Sequence, residues 1–139
     1  AFCGLGVGSL LLVRALWSYP QTKSGRVGIW WLVLIGVAYI GAGAFAPDPT
    51  SATESRLHGL SGLTVIVSSP IAFTSLTRSL MRDQRWSGAR QRLKWAATAT
   101  WIVVALFYSS VIIVYGLGHE SYRVVVGWMN RFMIATYCA

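Results

Sequence analysis

Three long runs of uncharged, mostly apolar residues divide the chain. They cover residues 27–45, 59–77 and 95–118 and contain 19, 19 and 24 residues. An α-helix needs about 20 apolar residues to cross roughly 30 Å of hydrocarbon. The pattern therefore predicts three membrane-spanning helices separated by short polar connections.

Two shorter apolar runs flank these three. Residues 1–13 are apolar up to Arg14, and residues 124–139 are apolar apart from Asn130 and Arg131. The chain has no initiator methionine and starts inside an apolar run, so we expect an internal piece of a longer protein whose first and last helices are truncated. The prediction is a single all-α transmembrane domain over residues 1–139, with antiparallel helices near 1–18, 27–46, 52–77, 93–117 and 122–139.

Composition supports a membrane protein. The chain is 55% hydrophobic and only 12% charged, whereas about 25% charged residues is usual for a soluble domain. Membrane helices are expected to contact one another at small residues, because the hydrophobic effect does not drive their association in lipid. Small residues recur every fourth position at Gly4 and Gly8 and at Ala38, Ala42 and Ala46. Pro70 is expected to kink the third helix.

The net charge of +8 is concentrated in alternate connections. The first and third connections hold nine of the twelve basic residues and one of the four acids. The basic residues there are Arg14, Lys23, Arg26, Arg78, Arg82, Arg85, Arg90, Arg92 and Lys94. The positive-inside rule places these connections in the cytoplasm and residues 46–57 on the extracytoplasmic side.

The basic third connection has two possible partners. Nucleic acid is one, but helices that span a membrane on both flanks make it a poor candidate. Attraction to anionic lipid head groups of the cytoplasmic leaflet explains the same charge. We therefore expect the lipid bilayer and its anionic head groups as partners, and no nucleic acid.

The polar stretch from residue 46 to residue 60 has two interpretations. Pro47 and Pro49 end the preceding helix, and Ser51 with Glu54 has the spacing of a capping box for the next one. On that helix Glu54 and His58 lie four residues apart and share a face. One interpretation is a capped turn between helices. The other is a polar site on the extracytoplasmic side.

Arg131 is the one cation expected below the membrane surface. It follows Arg123 by eight residues, which corresponds to roughly 10 Å along a helix. An arginine at that depth either pairs with a buried acid or extends its side chain to the surface. The acids predicted on the same side are Asp48, Glu54 and Glu120, and pairing with Asp48 is the leading hypothesis. The candidate polar pocket therefore consists of Asp48, Glu54, His58, Glu120 and Arg131.

The segments GAGAFAPDPT and LHGLSGL resemble a signature of the bacterial membrane-protein family catalogued as domain of unknown function 998. Phe45, Pro47, Asp48 and Pro49 match its Phe-Pro-x-Asp-Pro-like turn, and residues 57–59 match its Leu-His-Gly. The basic segment MRDQRWSGARQRL and a last helix with Gly127 and Arg131 are also similar. The resemblance implies a six-helix bundle in a bacterial cytoplasmic membrane, of which this chain holds the second to sixth helices. The family supplies no established activity.

Three classes of function remain open. The first is a binding or transport protein whose extracytoplasmic pocket takes a lipid head group or a small solute. The second is a membrane-embedded hydrolase or transferase in which Asp48 or Glu54 orients His58 as a general base. The third is a structural or assembly subunit without a ligand. No CxxC pair, phosphate-binding glycine loop or GxSxG motif occurs, so we expect no metal and no cofactor.

The topology is testable by single cysteines at Ser51 and Ser87 in a background where Cys3 and Cys138 are replaced by serine. A membrane-impermeant maleimide added to intact cells should label the Ser51→Cys variant, and should label Ser87→Cys only after the membrane is opened. The charge asymmetry of the connections is the physical reason. Labelling of both positions from the same side would contradict the predicted topology.

Overall fold

A computed structural model describes residues 2–18, 22–45, 50–118 and 123–138. In these ranges the chain forms five α-helices and no strand. The helices are α1 (Phe2–Trp17), α2 (Lys23–Ala44), α3 (Ala52–Leu80), α4 (Arg90–Val111) and α5 (Arg123–Cys138). A 3₁₀ turn (Gln84–Ala89) joins α3 to α4, and a π-helical segment (Ile112–Gly116) continues α4. The all-α prediction with five helices is confirmed.

Three of these helical segments are long and apolar enough to cross a membrane. They are Lys23–Ala44, Ala52–Leu80 and Gln84–Gly116, and they include all but three residues of the three apolar runs in the sequence. Large apolar side chains on α4 and its π segment remain exposed, for example Ile102 at 51% and Ile112 at 60%. Such surfaces suit contact with acyl chains and would be unusual in water.

Polar side chains cap the starts of α2 and α3. Helix α2 begins at Lys23, four residues before the predicted start, because the Thr22 hydroxyl accepts the Gly25 N–H at 3.2 Å. Ser51 accepts the Glu54 N–H at 3.3 Å and so starts α3. The predicted N-cap of α3 is therefore confirmed.

Helix α3 belongs to both hydrophobic clusters of the bundle. The larger cluster joins α1, α2 and α3 and includes Ile29, Leu32 and Leu76. The smaller one consists of Val103, Val104 and Met133 from α4 and α5, with partly buried neighbours that include Ile66 of α3. Two three-helix groups are thus joined along α3.

Glycines let the backbones of α1, α2 and α3 approach closely. A Cβ atom on Gly6 would lie 2.7 Å from the carbonyl oxygen of Gly36, and one on Gly28 would lie 2.7 Å from Leu76 Cγ. The prediction that the Gly4 and Gly8 face makes the helix contact is wrong for the described residues, since a Cβ at either position meets nothing within 4 Å. The contact is instead centred on Gly6, half a turn away. Ala38 and Ala42 are buried, whereas Ala46 lies outside the described residues.

Hydroxyl groups join the helices at the end of the bundle that carries the basic third connection, which we call the basic end. The Thr22 hydroxyl donates to Ser79 Oγ at 2.9 Å, and the Ser24 hydroxyl donates to the Ser75 carbonyl at 2.8 Å. The Trp101 indole N–H donates to Thr74 Oγ1 at 2.9 Å. These bonds fix α2, α3 and α4 relative to one another.

Pro70 leaves one backbone carbonyl inside α3 without a hydrogen-bond donor from its own helix. The residue is fully buried, and since proline has no N–H, the carbonyl of Ile66 lacks its usual intrahelical donor. The Tyr137 hydroxyl donates to that carbonyl at 3.4 Å. The carbonyl that the proline leaves free is thereby used to attach α5 to α3.

Substituting alanine at Gly6 should destabilise the bundle by about 1–3 kcal/mol, because the new methyl group would overlap the backbone of α2. The same substitution at Gly4 or Gly8 should be neutral or slightly stabilising, since alanine favours a helix over glycine by up to about 1 kcal/mol. Thermal unfolding in detergent measures the difference. Equal midpoints for the Gly6→Ala and Gly8→Ala variants would contradict the proposed close approach.

Candidate functional site

His58 lies in the second turn of α3 and contacts the end of α2. Its Nδ1 atom is 3.0 Å from the Ala42 carbonyl oxygen and 2.8 Å from that of Phe45. A carbonyl oxygen can only accept a hydrogen bond, so Nδ1 carries the hydrogen and donates it. In the neutral ring, Nε2 is then the nitrogen with a free lone pair.

The two carbonyls need such a donor because α2 ends there. Ala42 is one of the last four residues of α2, whose carbonyls have no partner within the helix, and Phe45 is the C-cap residue. The sequence continues with Pro47 and Pro49, which have no N–H. The Phe2 ring of α1 also contacts the imidazole edge to face, with ring centroids 6.2 Å apart. The imidazole therefore faces α1 and the end of α2.

A cavity of about 560 Å³ opens beside His58 between α3, α4 and α5. We call it the His58 cavity. Helix α3 contributes His58, Gly59, Gly62, Leu63 and Ile66; α4 with its π segment contributes Phe107, Tyr108, Val111 and Tyr115; and α5 contributes Val126, Gly127 and Asn130.

The described walls of the His58 cavity are apolar with four polar side chains. These are the imidazole of His58, the phenols of Tyr108 and Tyr115 and the amide of Asn130. All four donate or accept hydrogen bonds without carrying a fixed charge. Among the described lining residues there is no Asp, Glu, Lys or Arg. The cavity is therefore suited to an uncharged polar group attached to an apolar body.

Three glycines give the His58 cavity its width. A Cβ atom on Gly59, Gly62 or Gly127 would meet no heavy atom within 4 Å. These glycines therefore do not mediate a close helix contact, in contrast to Gly6 and Gly28. Any larger side chain at these positions would extend into open space.

A second, smaller cavity of about 60 Å³ lies between α1, α2, α3 and α5. Phe2, Tyr39 and Met133 are among its lining residues. It shares His58, Gly62, Ile66 and Asn130 with the His58 cavity. These four residues thus lie between the smaller cavity and the His58 cavity.

The π-helical segment at the end of α4 brings Tyr115 to the cavity wall. The Leu117 N–H donates to the Ile112 carbonyl at 3.1 Å, a bond that spans five residues, and the turn is followed by Gly118 with a φ of +75°. Only glycine adopts that backbone conformation without strain. Single π turns inside helices often occur at functional sites.

Of the five residues predicted to form the pocket, the structure describes Glu54, His58 and Arg131, and these three do not line a common described cavity. Glu54 is exposed, and Arg131 is exposed with its guanidinium carbon 5.3 Å from the centroid of the Trp128 ring. Such a cation–π contact on the surface contributes about 0.5–1 kcal/mol. Asp48 and Glu120 lie outside the described residues, so the pairing of Arg131 with either of them stays a prediction. His58 is the one predicted residue that lines a described cavity.

Sequence reasoning missed three polar residues of the cavity. Tyr108 and Tyr115 lie within an apolar run that predicted only a spanning helix, and Asn130 was noted only as a polar residue within the last apolar run. The glycines at positions 59, 62 and 127 were a usable signal, because glycines that share a cavity mark missing side-chain volume. No group of three or more His, Cys, Asp or Glu side chains within the described ranges could hold a metal ion.

Replacing His58 by alanine should lower the free energy of unfolding by about 1–3 kcal/mol, because the carbonyls of Ala42 and Phe45 would lose their donor. His58→Asn is the matched control, since the asparagine amide N–H₂ can take the position of Nδ1–H. Thermal unfolding in detergent should place the asparagine variant near the wild type. Equal losses in the two variants would contradict the capping role of the imidazole.

Comparison with known proteins identifies the family. The sequence profile of the family described as "Protein of unknown function (DUF998)" matches residues 1–139, the whole chain. No curated protein matches, and no solved structure matches. The chain therefore belongs to the DUF998 family, as the motifs around Asp48 and His58 had indicated.

Proposed function

We propose that this protein binds a lipid-like molecule with an uncharged polar head group in the His58 cavity. The observation that carries the proposal is the combination of a 560 Å³ opening with four uncharged polar groups on otherwise apolar walls. Ligand sites of small molecules have volumes of about 300–1,000 Å³ and the same mixture of apolar walls and few polar groups.

The arrangement along the helices supports an amphipathic ligand. His58 lies near the start of α3 and Tyr115 near the end of the α4 segment, so both belong to the same end of the bundle. Leu63 and Ile66 follow His58 on α3 by one and two turns, about 7–12 Å deeper. A head group bound at His58 and Asn130 would direct an apolar chain along Ile66 towards the middle of the bundle.

The hydrogen-bonding groups favour an uncharged head group. A hydroxyl or amide on the ligand could donate to Nε2 of His58 and accept from the Asn130 amide or a tyrosine hydroxyl. A bound phosphate or ammonium group would find no opposite charge among the described lining residues, and an unpaired ion in an apolar cavity is strongly disfavoured. Glycerides and long-chain alcohols have the required chemistry.

A membrane-embedded hydrolase or transferase has less support. In that hypothesis a carboxylate of Asp48 or Glu54 orients His58, whereas the groups observed at Nδ1 are the carbonyl oxygens of Ala42 and Phe45. The hydroxyl groups on the described cavity wall belong to Tyr108 and Tyr115. No Ser, Thr or Cys, the usual nucleophiles of such enzymes, is among the described lining residues.

Filling the cavity provides the test of binding. The Gly62→Leu variant should add a side chain to the open space and lower the affinity for monoolein, a neutral glyceride, by at least about tenfold, because the chain and the ligand compete for one volume. Gly8→Leu is the matched control, since position 8 is also open but lies on α1, outside the His58 cavity. Titration of the purified proteins, followed by native mass spectrometry, measures both affinities.

The Asn130→Leu variant tests the head-group contact separately. Loss of one hydrogen bond should weaken monoolein binding by about 2- to 10-fold and leave binding of the hydrocarbon hexadecane unchanged. Equal monoolein affinity in the wild type, Gly62→Leu and Asn130→Leu would overturn the proposed site.

A further inference from the structure

A second groove lies at the opposite, basic end of the bundle between α3 and α4. It has a volume of about 310 Å³. The residues that matter for its chemistry are Thr77 and Arg78 from α3, Met81 just after α3, and Lys94, Thr98 and Trp101 from α4. We call it the basic groove. It is separate from the His58 cavity and shares no lining residue with it.

The two cations of the basic groove come from different helices, and both line it. Arg78 lies in the last turn of α3, and Lys94 lies in the second turn of α4. From residue 78 to residue 94 there are six Arg or Lys residues and one acid, Asp83. The Asp83 carboxylate accepts the Arg85 N–H at 2.9 Å and so caps the 3₁₀ turn. The segment therefore keeps a large excess of positive charge beside the groove.

The groove becomes apolar away from the two cations. Trp101 follows Lys94 by seven residues, about 10 Å further along α4. Its indole N–H is bonded to Thr74 Oγ1 at 2.9 Å, which holds the ring against α3 while 49% of the side chain stays exposed. Ala97 and Trp101 supply apolar surface there. Charge at one end and apolar surface 10 Å away match a phosphate ester joined to an acyl chain.

We infer that the basic groove is a binding site for one anionic phospholipid of the adjoining leaflet. Arg78 and Lys94 bind the phosphate group, and an acyl chain lies along Trp101 and Ala97. Arginine can hold phosphate oxygens with two parallel hydrogen bonds, and the lysine ammonium adds a second charge. Basic pockets between membrane helices on the cytoplasmic side are known to take such head groups. A free phosphate ion would use the cations but not the apolar wall.

Native mass spectrometry of the whole chain in detergent tests the inference with dioleoyl phosphatidylglycerol as the probe. The double variant Arg78→Gln/Lys94→Gln should weaken binding by about 10- to 30-fold, since each cation near a lipid surface contributes roughly a factor of five. The matched control is Arg82→Gln/Arg92→Gln, which removes the same charge from the same end but outside the groove. Its effect should stay below about threefold, because exposed distant charges are screened.

Further measurements distinguish a bound anionic phospholipid from a bound free phosphate and from unspecific binding to lipid. The zwitterionic lipid dioleoyl phosphatidylcholine should bind at least about tenfold more weakly than phosphatidylglycerol, because it adds a cation next to Arg78 and Lys94. Soluble glycerol phosphate has the same phosphate chemistry without acyl chains, and it should not compete. The Thr98→Trp variant fills the groove without removing charge and should weaken phosphatidylglycerol binding as the double variant does.

Equal losses in the two charge variants would overturn the site in favour of a diffuse surface attraction. Competition by glycerol phosphate at the affinity of the lipid would overturn the lipid as its occupant. Unchanged phosphatidylglycerol binding in Thr98→Trp would show that the groove is not used. None of these outcomes depends on the His58 cavity, so the two proposals are tested independently.

Discussion

The hydrogen bonds from His58 to the end of α2 determine the shape of the candidate site. The last carbonyls of α2 lack partners within their own helix, and the sequence that follows contains two prolines without N–H groups. The imidazole supplies the missing donor from α3. This contact fixes the ring at the boundary between two cavities, and it sets which nitrogen has a free lone pair. A residue that resembles a catalytic base therefore has a structural role that explains its position.

Packing is uneven across the bundle. Helices α1, α2 and α3 approach one another at glycines whose missing side chains are filled by neighbouring atoms. Helices α4 and α5 pack against α3 through a smaller apolar cluster and leave three glycines beside open space. Both the His58 cavity and the basic groove border α4. The His58 cavity and the basic groove thus lie on the side of the bundle that α4 forms.

Much of the fold could be predicted from the sequence. The three uncharged runs are long compared with a bilayer, and length alone identifies them. The start of α3 was also predictable, because Ser51 and Glu54 have the spacing of an N-cap. The early start of α2 was not, since Lys23 and Arg26 suggested a loop. The choice of Gly6 over Gly4 and Gly8 depends on the rotation of α1, which short periodic patterns do not determine.

The candidate site was predicted only in part. His58 stood out because it is a polar residue at the start of an apolar helix. Tyr108, Tyr115 and Asn130 join it only through the crossing of α3, α4 and α5 and through the π-helical turn, and no local pattern encodes such a meeting. The described polar groups on the cavity wall are uncharged, so a search for charged residues at this end did not find them. Charge was a better guide at the basic end, where Arg78 and Lys94 line one groove.

The central claim is that the His58 cavity holds an amphipathic molecule. Photocrosslinking with a monoglyceride that carries a diazirine in its acyl chain tests this claim most directly, because peptide mapping then reports where the chain lies. We predict modification in the segments 58–66, 107–115 and 126–130, and its loss when an excess of unlabelled monoolein is present. Label spread evenly over the exposed faces of α1, α2 and α4, without competition by monoolein, would contradict the account.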